Sequence, residues 1–211
     1  MELIRKDRWN IIASRLQPLL LRLVHDLGLQ PLDHLRPRLF QPRVPRGLPR
    51  HQLHHHDHLP DLLDEVLWNL RWMLKMQDPN DGGVYHKLTN PSFDPMRIMP
   101  HEATKPRYVV KKTTTAALNL AAVAAQAARV LRPFNKQLPG LADSCLQVAR
   151  KAWDWSIQNP NVLYQQNELN KSFDPDVVTG AYDDRSAADE WLWAATELYL
   201  RTGEKPYQWK V

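Results

Sequence analysis

The sequence predicts an all-α chain whose helices stack as antiparallel hairpins joined by long loops. Three observations carry this. Apolar residues recur at three- and four-residue steps in separate segments after residue 59, one of those segments is dense in alanine, and no segment keeps the apolar and polar alternation of a strand.

The first helix is expected over residues 60–77. Pro60 and the early acids Asp61, Asp64 and Glu65 suit a helix start, where a proline loses no hydrogen bond and carboxylates meet the positive end of the dipole. These acids read as first-turn charges and not as catalysts. Leu63, Val66, Leu67, Leu70, Met73 and Leu74 form one stripe at helical spacing, which Asp78-Pro-Asn-Asp-Gly-Gly83 ends. Residues 82–112 are rich in proline and short of helical period, so an extended excursion or long loop containing Gly83-Val-Tyr-His-Lys-Leu-Thr89 is expected. Loops of this length inside a compact domain usually serve function.

The second helix is expected over residues 113–131. Alanines at 116, 117, 121, 122, 124, 125, 127 and 128 support it by propensity and let a neighbouring helix approach closely. A third is expected over 138–157, and a fourth over 187–201, closing at Gly203 in the position of a left-handed cap. Residues 206–211 read as the opening of a further helix. Tryptophans 68, 72, 153, 155, 191 and 193 lie at helical spacing beside apolar residues, and most of them are expected in the core. Both ends of 60–211 read as interrupted, so this stretch is expected to be a section of a larger unit.

The first 59 residues differ. The chain has 211 residues and a formal charge of +5, and that charge is local: residues 1–59 hold ten Lys or Arg against five Asp or Glu, whereas 60–211 hold eighteen of each. The stretch that looks folded therefore has no electrostatic footprint for nucleic acid. From 17 to 59, 35 of 43 residues are Leu, Arg, Pro, His or Gln, the five types specified by codons that begin with C. A GC-rich gene read in a shifted frame yields such a bias, and the prolines there block long helices, so residues 1–59 are expected to be disordered or mis-framed. The His-rich tract 51–58 has ligand types for zinc or nickel but no fixed geometry, and it reads as a product of composition. Residues 18–28 are apolar but broken by Arg22 and Asp26, so neither a membrane span nor a signal-peptide core is present. The one thiol, Cys145, makes no intrachain disulfide.

Three carboxylates within seven residues, Asp184, Asp189 and Glu190, stand beside a turn with free carbonyls and suit a hard cation such as calcium. Acids complementing the dipole of a helix start are the other reading. Tyr182 and the pair Tyr85 and His86 are candidates for a carbohydrate cleft, since sugar C–H faces pack on aromatic rings and hydroxyls seek His or Tyr partners. Loop packing is the alternative.

Pro60-Asp-Leu-Leu-Asp-Glu-Val, Trp68-Asn-Leu-Arg-Trp-Met-Leu-Lys-Met-Gln77, Gly82-Gly-Val-Tyr-His-Lys87, Thr113-Thr-Thr-Ala116, Thr179-Gly-Ala-Tyr182 and Asp189-Glu-Trp-Leu-Trp-Ala-Ala195 resemble glycoside hydrolase family 9, in the subgroup with an immunoglobulin-like domain ahead of the catalytic one. The resemblance covers about residues 59–211. It implies part of an (α/α)6 barrel, and intact family members are expected to be secreted monomers acting on β-1,4-glucan polysaccharide. It implies an inverting endo-β-1,4-glucanase in which an aspartate of an Asp-Ala-Gly-Asp motif activates water and a later glutamate protonates the leaving oxygen. That motif occurs nowhere in the sequence. The chain is therefore expected to be a cellulase-type section that is itself inactive, with no catalytic residue assigned; a non-catalytic helical module binding carbohydrate or protein is the alternative. The family likeness also implies a structural calcium at Asp189 and Glu190, with carbonyls near Arg185 and Ser186. No nucleic-acid or membrane partner is expected.

Overall fold

The computed structural model describes residues 59–210, and the readings of residues 1–58, including the shifted frame and the His tract, lie outside the described residues. In chain order the elements are α1 (Asp61–Leu74), β1 (Tyr85–Thr89), β2 (Tyr108–Lys112), α2 (Thr114–Val130), α3 (Leu141–Gln158), α4 (Gln166–Asn170) and α5 (Ala188–Thr202). The four long helices lie where the apolar periods place them.

Their ends have local causes. The Pro60 carbonyl accepts from the amides of Leu63 and Asp64 to open α1. Thr113 caps α2 with its hydroxyl, which accepts from the Ala116 amide at 3.2 Å and so satisfies one donor the helix cannot. Gly203, at φ 70°, closes α5 as a left-handed cap, its amide donating to the Tyr199 carbonyl.

Three features correct the sequence reading. The excursion 82–112 contains an antiparallel hairpin, with Tyr85 opposite Lys112, Lys87 opposite Val110 and Thr89 opposite Tyr108. Its alternation is hidden because neighbouring His86 and Lys87 are both buried. The short α4 was also unforeseen, and residues Lys205–Lys210 form a 3-10 helix where an α-helical opening was expected.

α2 is buried on nearly every side, which its alanines permit. α3 places Ala142, Cys145, Ala149 and Ala152 in the same core, at a spacing that keeps them on one helical face. The two helices are antiparallel: the Thr114 amide at the start of α2 donates to the Val162 carbonyl just past the end of α3. α5, by contrast, runs parallel to α2. Thr115 near the start of α2 donates to Asp184 just ahead of α5, and Arg129 near the end of α2 pairs with Glu197 in the second half of α5. Parallel neighbours in one layer, with an antiparallel helix returning between them, are how successive hairpins stand in a double ring.

The α1 stripe of Leu63, Val66, Leu67, Leu70 and Met73 is buried in this core, together with Leu59. Trp153 and Trp155 are also buried, whereas Trp191 and Trp193 are half-buried against the core. Trp68 departs from expectation at 78% exposure, because it falls on the opposite side of α1 from the stripe; Trp72 is 37% exposed.

Candidate functional site

The candidate residues gather at the N-terminal end of α2, where β1, the stretch 162–166 and the turn 180–184 come together. Gly83 sets the entry to β1. A Cβ there would lie 2.7 Å from two ring atoms of Trp155, so only glycine lets the turn seat on α3.

The structure separates Tyr85 from His86. The Tyr85 hydroxyl donates to Asp78 Oδ2 at 3.2 Å. The Lys112 ammonium lies 2.6 Å from that same oxygen and 2.8 Å from Asp81 Oδ2, and 5.5 Å from the Tyr85 ring centre. The Lys112 hydrogen bond is the main reason the Asp78 carboxyl is held down to about 2. Tyr85 is thus anchored on the turn at Asp78 and points its hydroxyl away from His86.

His86 is 7% exposed and has both ring nitrogens engaged. Nε2 lies 3.2 Å from the Tyr182 carbonyl and Nδ1 lies 3.1 Å from Thr113 Oγ1. The ring stacks on Tyr164 with centroids 4.2 Å apart and planes 10° from parallel. Burial is the larger influence, lowering its pKa and favouring the neutral ring, while the charge of Asp184 pulls the other way. A carbonyl only accepts, so Nε2 carries the proton and Nδ1 accepts from Thr113. Thr115 spends its own hydrogen on Asp184 Oδ2, at 2.6 Å, an oxygen that also accepts from the Tyr164 amide at 3.2 Å.

Lys87, next along β1, is 5% exposed. Its ammonium donates to Gln166 Oε1 and to the Gly180 carbonyl, both at 2.7 Å, and stands 5.3 Å and 5.6 Å from the ring centres of Tyr164 and Tyr182. Burial brings its pKa down to about 8. Tyr182 itself is half-buried with φ 54°, a left-handed backbone unusual outside glycine. Of the three residues expected to line a cleft, it alone is an aromatic side chain outside the hydrogen bonds that hold Tyr85 on Asp78 and His86 on Thr113.

The acidic turn divides. Asp184 faces inward to Thr115 and Tyr164, and among the described residues no group of three or more His, Cys, Asp or Glu side chains is arranged to hold a metal ion. The trio Asp184, Asp189 and Glu190 expected from sequence is therefore not assembled as a ligand cluster. Glu190 nevertheless has a buried oxygen, Oε2, without a hydrogen-bond partner. Its pKa is pushed up to about 8, first by burial and then by the neighbouring Asp189 and the charge of Asp184.

Sequence reasoning missed Lys87, Tyr164, Gln166 and the Thr113 and Thr115 hydroxyls. Lys87 lies inside the Gly82–Lys87 motif, but its partners lie 79 and 93 residues away. No local signal marks Tyr164.

The family model described as Glycosyl hydrolase family 9 matches residues 48–211. The chain is similar to the Xyloglucan-specific endo-beta-1,4-glucanase BoGH9A of Bacteroides ovatus, with 48% identity over 152 residues, 72% of this chain and 26% of that protein. It is also similar to Endoglucanase C of Cellulomonas fimi, at 39% identity, covering 72% of this chain and 13% of that protein. Among solved structures, Bacteroides ovatus GH9 superposes with a TM-score of 0.76 at 40% identity, covering 95% of this chain and 34% of that one. The chain thus spans about a quarter or less of the length of these curated relatives.

Proposed function

The chain belongs to glycosyl hydrolase family 9, and from that premise we propose that residues 60–211 are a section of the catalytic domain of an inverting endo-β-1,4-glucanase, forming one arc of its (α/α)6 barrel and one wall of a β-glucan cleft. The observation that carries this reading is the convergence of β1, the 162–166 stretch and the 180–184 turn on the N-terminal end of α2, which sets the partly exposed Tyr182 ring at one end of the helical layer. Relatives named as endoglucanases and as xyloglucan-specific support a β-1,4-linked backbone as the ligand.

The chain by itself is inactive in this reading. Inverting hydrolysis needs one carboxylate to activate water and a second to protonate the leaving oxygen, and the motif expected to bring the first, Asp-Ala-Gly-Asp, is absent from the sequence. Binding, not turnover, is the property left to test. Electrophoresis of the full chain through gels containing soluble xyloglucan or carboxymethyl cellulose should show retardation, and the same protein should release no reducing sugar. Unretarded migration in both gels would remove the cleft reading, and measurable sugar release would remove the inactivity.

Asp189 and Glu190 are the residues that would hold a structural calcium ion, with carbonyls near Arg185 and Ser186. The partnerless Glu190 oxygen and the crowding of like charges around it fit such an ion, which supplies the positive charge that keeps both carboxylates ionised. Millimolar calcium should raise the melting temperature, and the rise should vanish in Asp189→Asn. An unchanged melting temperature would remove the ion from the account. Export from the cell follows in the same reading; among the described residues, no helix is long and apolar enough to cross a membrane.

A further inference from the structure

We propose that Lys87 is a positioning residue: its buried ammonium clamps the Gly180 carbonyl and holds Tyr182 in a strained backbone conformation, with its ring placed for a sugar. The inference deepens the reading of Tyr182 as a cleft residue and rests on it.

The argument begins with the strain. Tyr182 has φ 54°, where a bulky L-residue is seldom found. Such a conformation persists only when its surroundings over-determine it. The surroundings here are two successive side chains of β1. His86 Nε2 donates to the carbonyl of Tyr182 itself at 3.2 Å, and Lys87 donates to the carbonyl of Gly180, two residues earlier, at 2.7 Å. The strap is thus pinned at two carbonyls from one strand. Gly180 completes the device, because its absent Cβ leaves room for the Tyr182 ring, whose atoms come within 2.9 Å of where that Cβ would stand.

The choice of lysine needs a reason, since burying an ammonium is unfavourable without compensation. Among the described residues Lys87 forms no ion pair with a carboxylate. Its compensation is a carbonyl, an amide oxygen, the faces of two tyrosine rings and the charge of nearby Asp183, which raises its pKa against burial. A carboxylate partner would fix the lysine and leave the strap free, whereas a backbone carbonyl partner fixes the strap. The other groups around it are already committed: Asp183 Oδ1 accepts from the Gln166 amide, Asp184 from Thr115 and Tyr164, and His86 from Thr113. The Tyr164 hydroxyl donates to Gln166 Oε1, the oxygen Lys87 also uses.

The test labels the full chain with tyrosine carrying 13C in the ring and assigns Tyr182 by the signal lost in Tyr182→Phe. Lys87→Met keeps the length of the side chain and removes its N–H groups. It should shift and broaden the Tyr182 signal while leaving that of Tyr85, which is anchored on Asp78, in place. An unmoved Tyr182 signal in folded Lys87→Met overturns the proposal. Should that variant fail to fold, Lys87→Arg takes its place, since it keeps the charge but changes the position of the donors, and an unmoved Tyr182 signal in folded Lys87→Arg overturns the proposal. Gel retardation by xyloglucan separates this from the functional reading. Wild type that binds no glucan but shows the Lys87-dependent signal defeats the cleft and keeps the clamp, whereas wild type that binds should lose at least fivefold in affinity in Lys87→Met.

Discussion

Proton counting at single residues decides much of this site's behaviour. Two threonine hydroxyls lie between His86 and Asp184, and each has one hydrogen to give. With the neutral ring, Thr113 gives its hydrogen to Nδ1 and Thr115 gives its own to the carboxylate, so every acceptor in the chain is served. Lys87 follows a different rule, because its proton sits where burial disfavours charge. It ionises at about 8 in the folded chain against 10.5 when unperturbed. Below 8 both states carry the proton and the buried charge works against folding at full strength. As pH rises from 8 toward 10.5 the folded state sheds the proton first, the unfolded state holds more protons, and stability increases. The expected outcome, in urea unfolding, is a stability gap between wild type and Lys87→Met that moves in favour of wild type between pH 8 and 10, by at most ~1.4 kcal/mol per pH unit. Taking the gap removes Cys145 and Tyr164, whose burial-raised pKa values act in the opposite sense in both chains. A gap that stays constant over that window would show that Lys87 keeps its proton at an ordinary pKa.

At the level of elements, legibility followed locality. α1, α2, α3 and α5 were readable because each carries its evidence within a few residues: an apolar stripe, a run of alanine, a threonine cap, a terminal glycine. β1 and β2 were not, since the strand partners are separated by the whole loop between Thr89 and Tyr108, and adjacent His86 and Lys87 are both buried. The same distinction divides the site. Residue type alone pointed to His86 and Tyr182, but the stacking of His86 on Tyr164 and the grip of Lys87 on Gly180 exist only after the chain has closed. The parallel setting of α2 and α5 is likewise a tertiary fact, carried in part by the pair Arg129 and Glu197, which meet at 2.8 Å with Glu197 8% exposed. Burial raises the Glu197 pKa and Arg129 opposes that rise. Arg129→Met strands the carboxylate, at a cost of about 3 kcal/mol. Arg129→Met with Glu197→Leu should recover most of that loss, as apolar replacements of buried pairs commonly do. Denaturant unfolding of the two single variants and the double variant closes the cycle. A double variant no more stable than Arg129→Met alone would mean that this pair does not join the helices.

At the scale of the whole molecule, surface and charge point to self-association. This chain matches about a quarter or less of the length of its curated relatives, and a complete double ring covers each helix with neighbours on both sides. Here large apolar side chains stand open on three different helices: Trp68 on α1 at 78% exposure, Ile157 on α3 at 51% and Leu192 on α5 at 48%. Open apolar side chains on several faces favour contact with a second copy, because burying them removes apolar area from water. Repulsion offers little opposition in the helical part, since residues 60–211 carry equal numbers of Lys or Arg and Asp or Glu. Sedimentation of the full chain should therefore show an average mass that grows with concentration and persists at high salt, where charge pairing is screened. Trp68→Lys, Ile157→Lys and Leu192→Lys, combined in one chain, should return it to monomer without lowering its helix content, since all three side chains already face solvent. Association that dissolves in salt, or that survives the triple substitution, would place the contact on the basic residues 1–59 and not on the open faces of the helices.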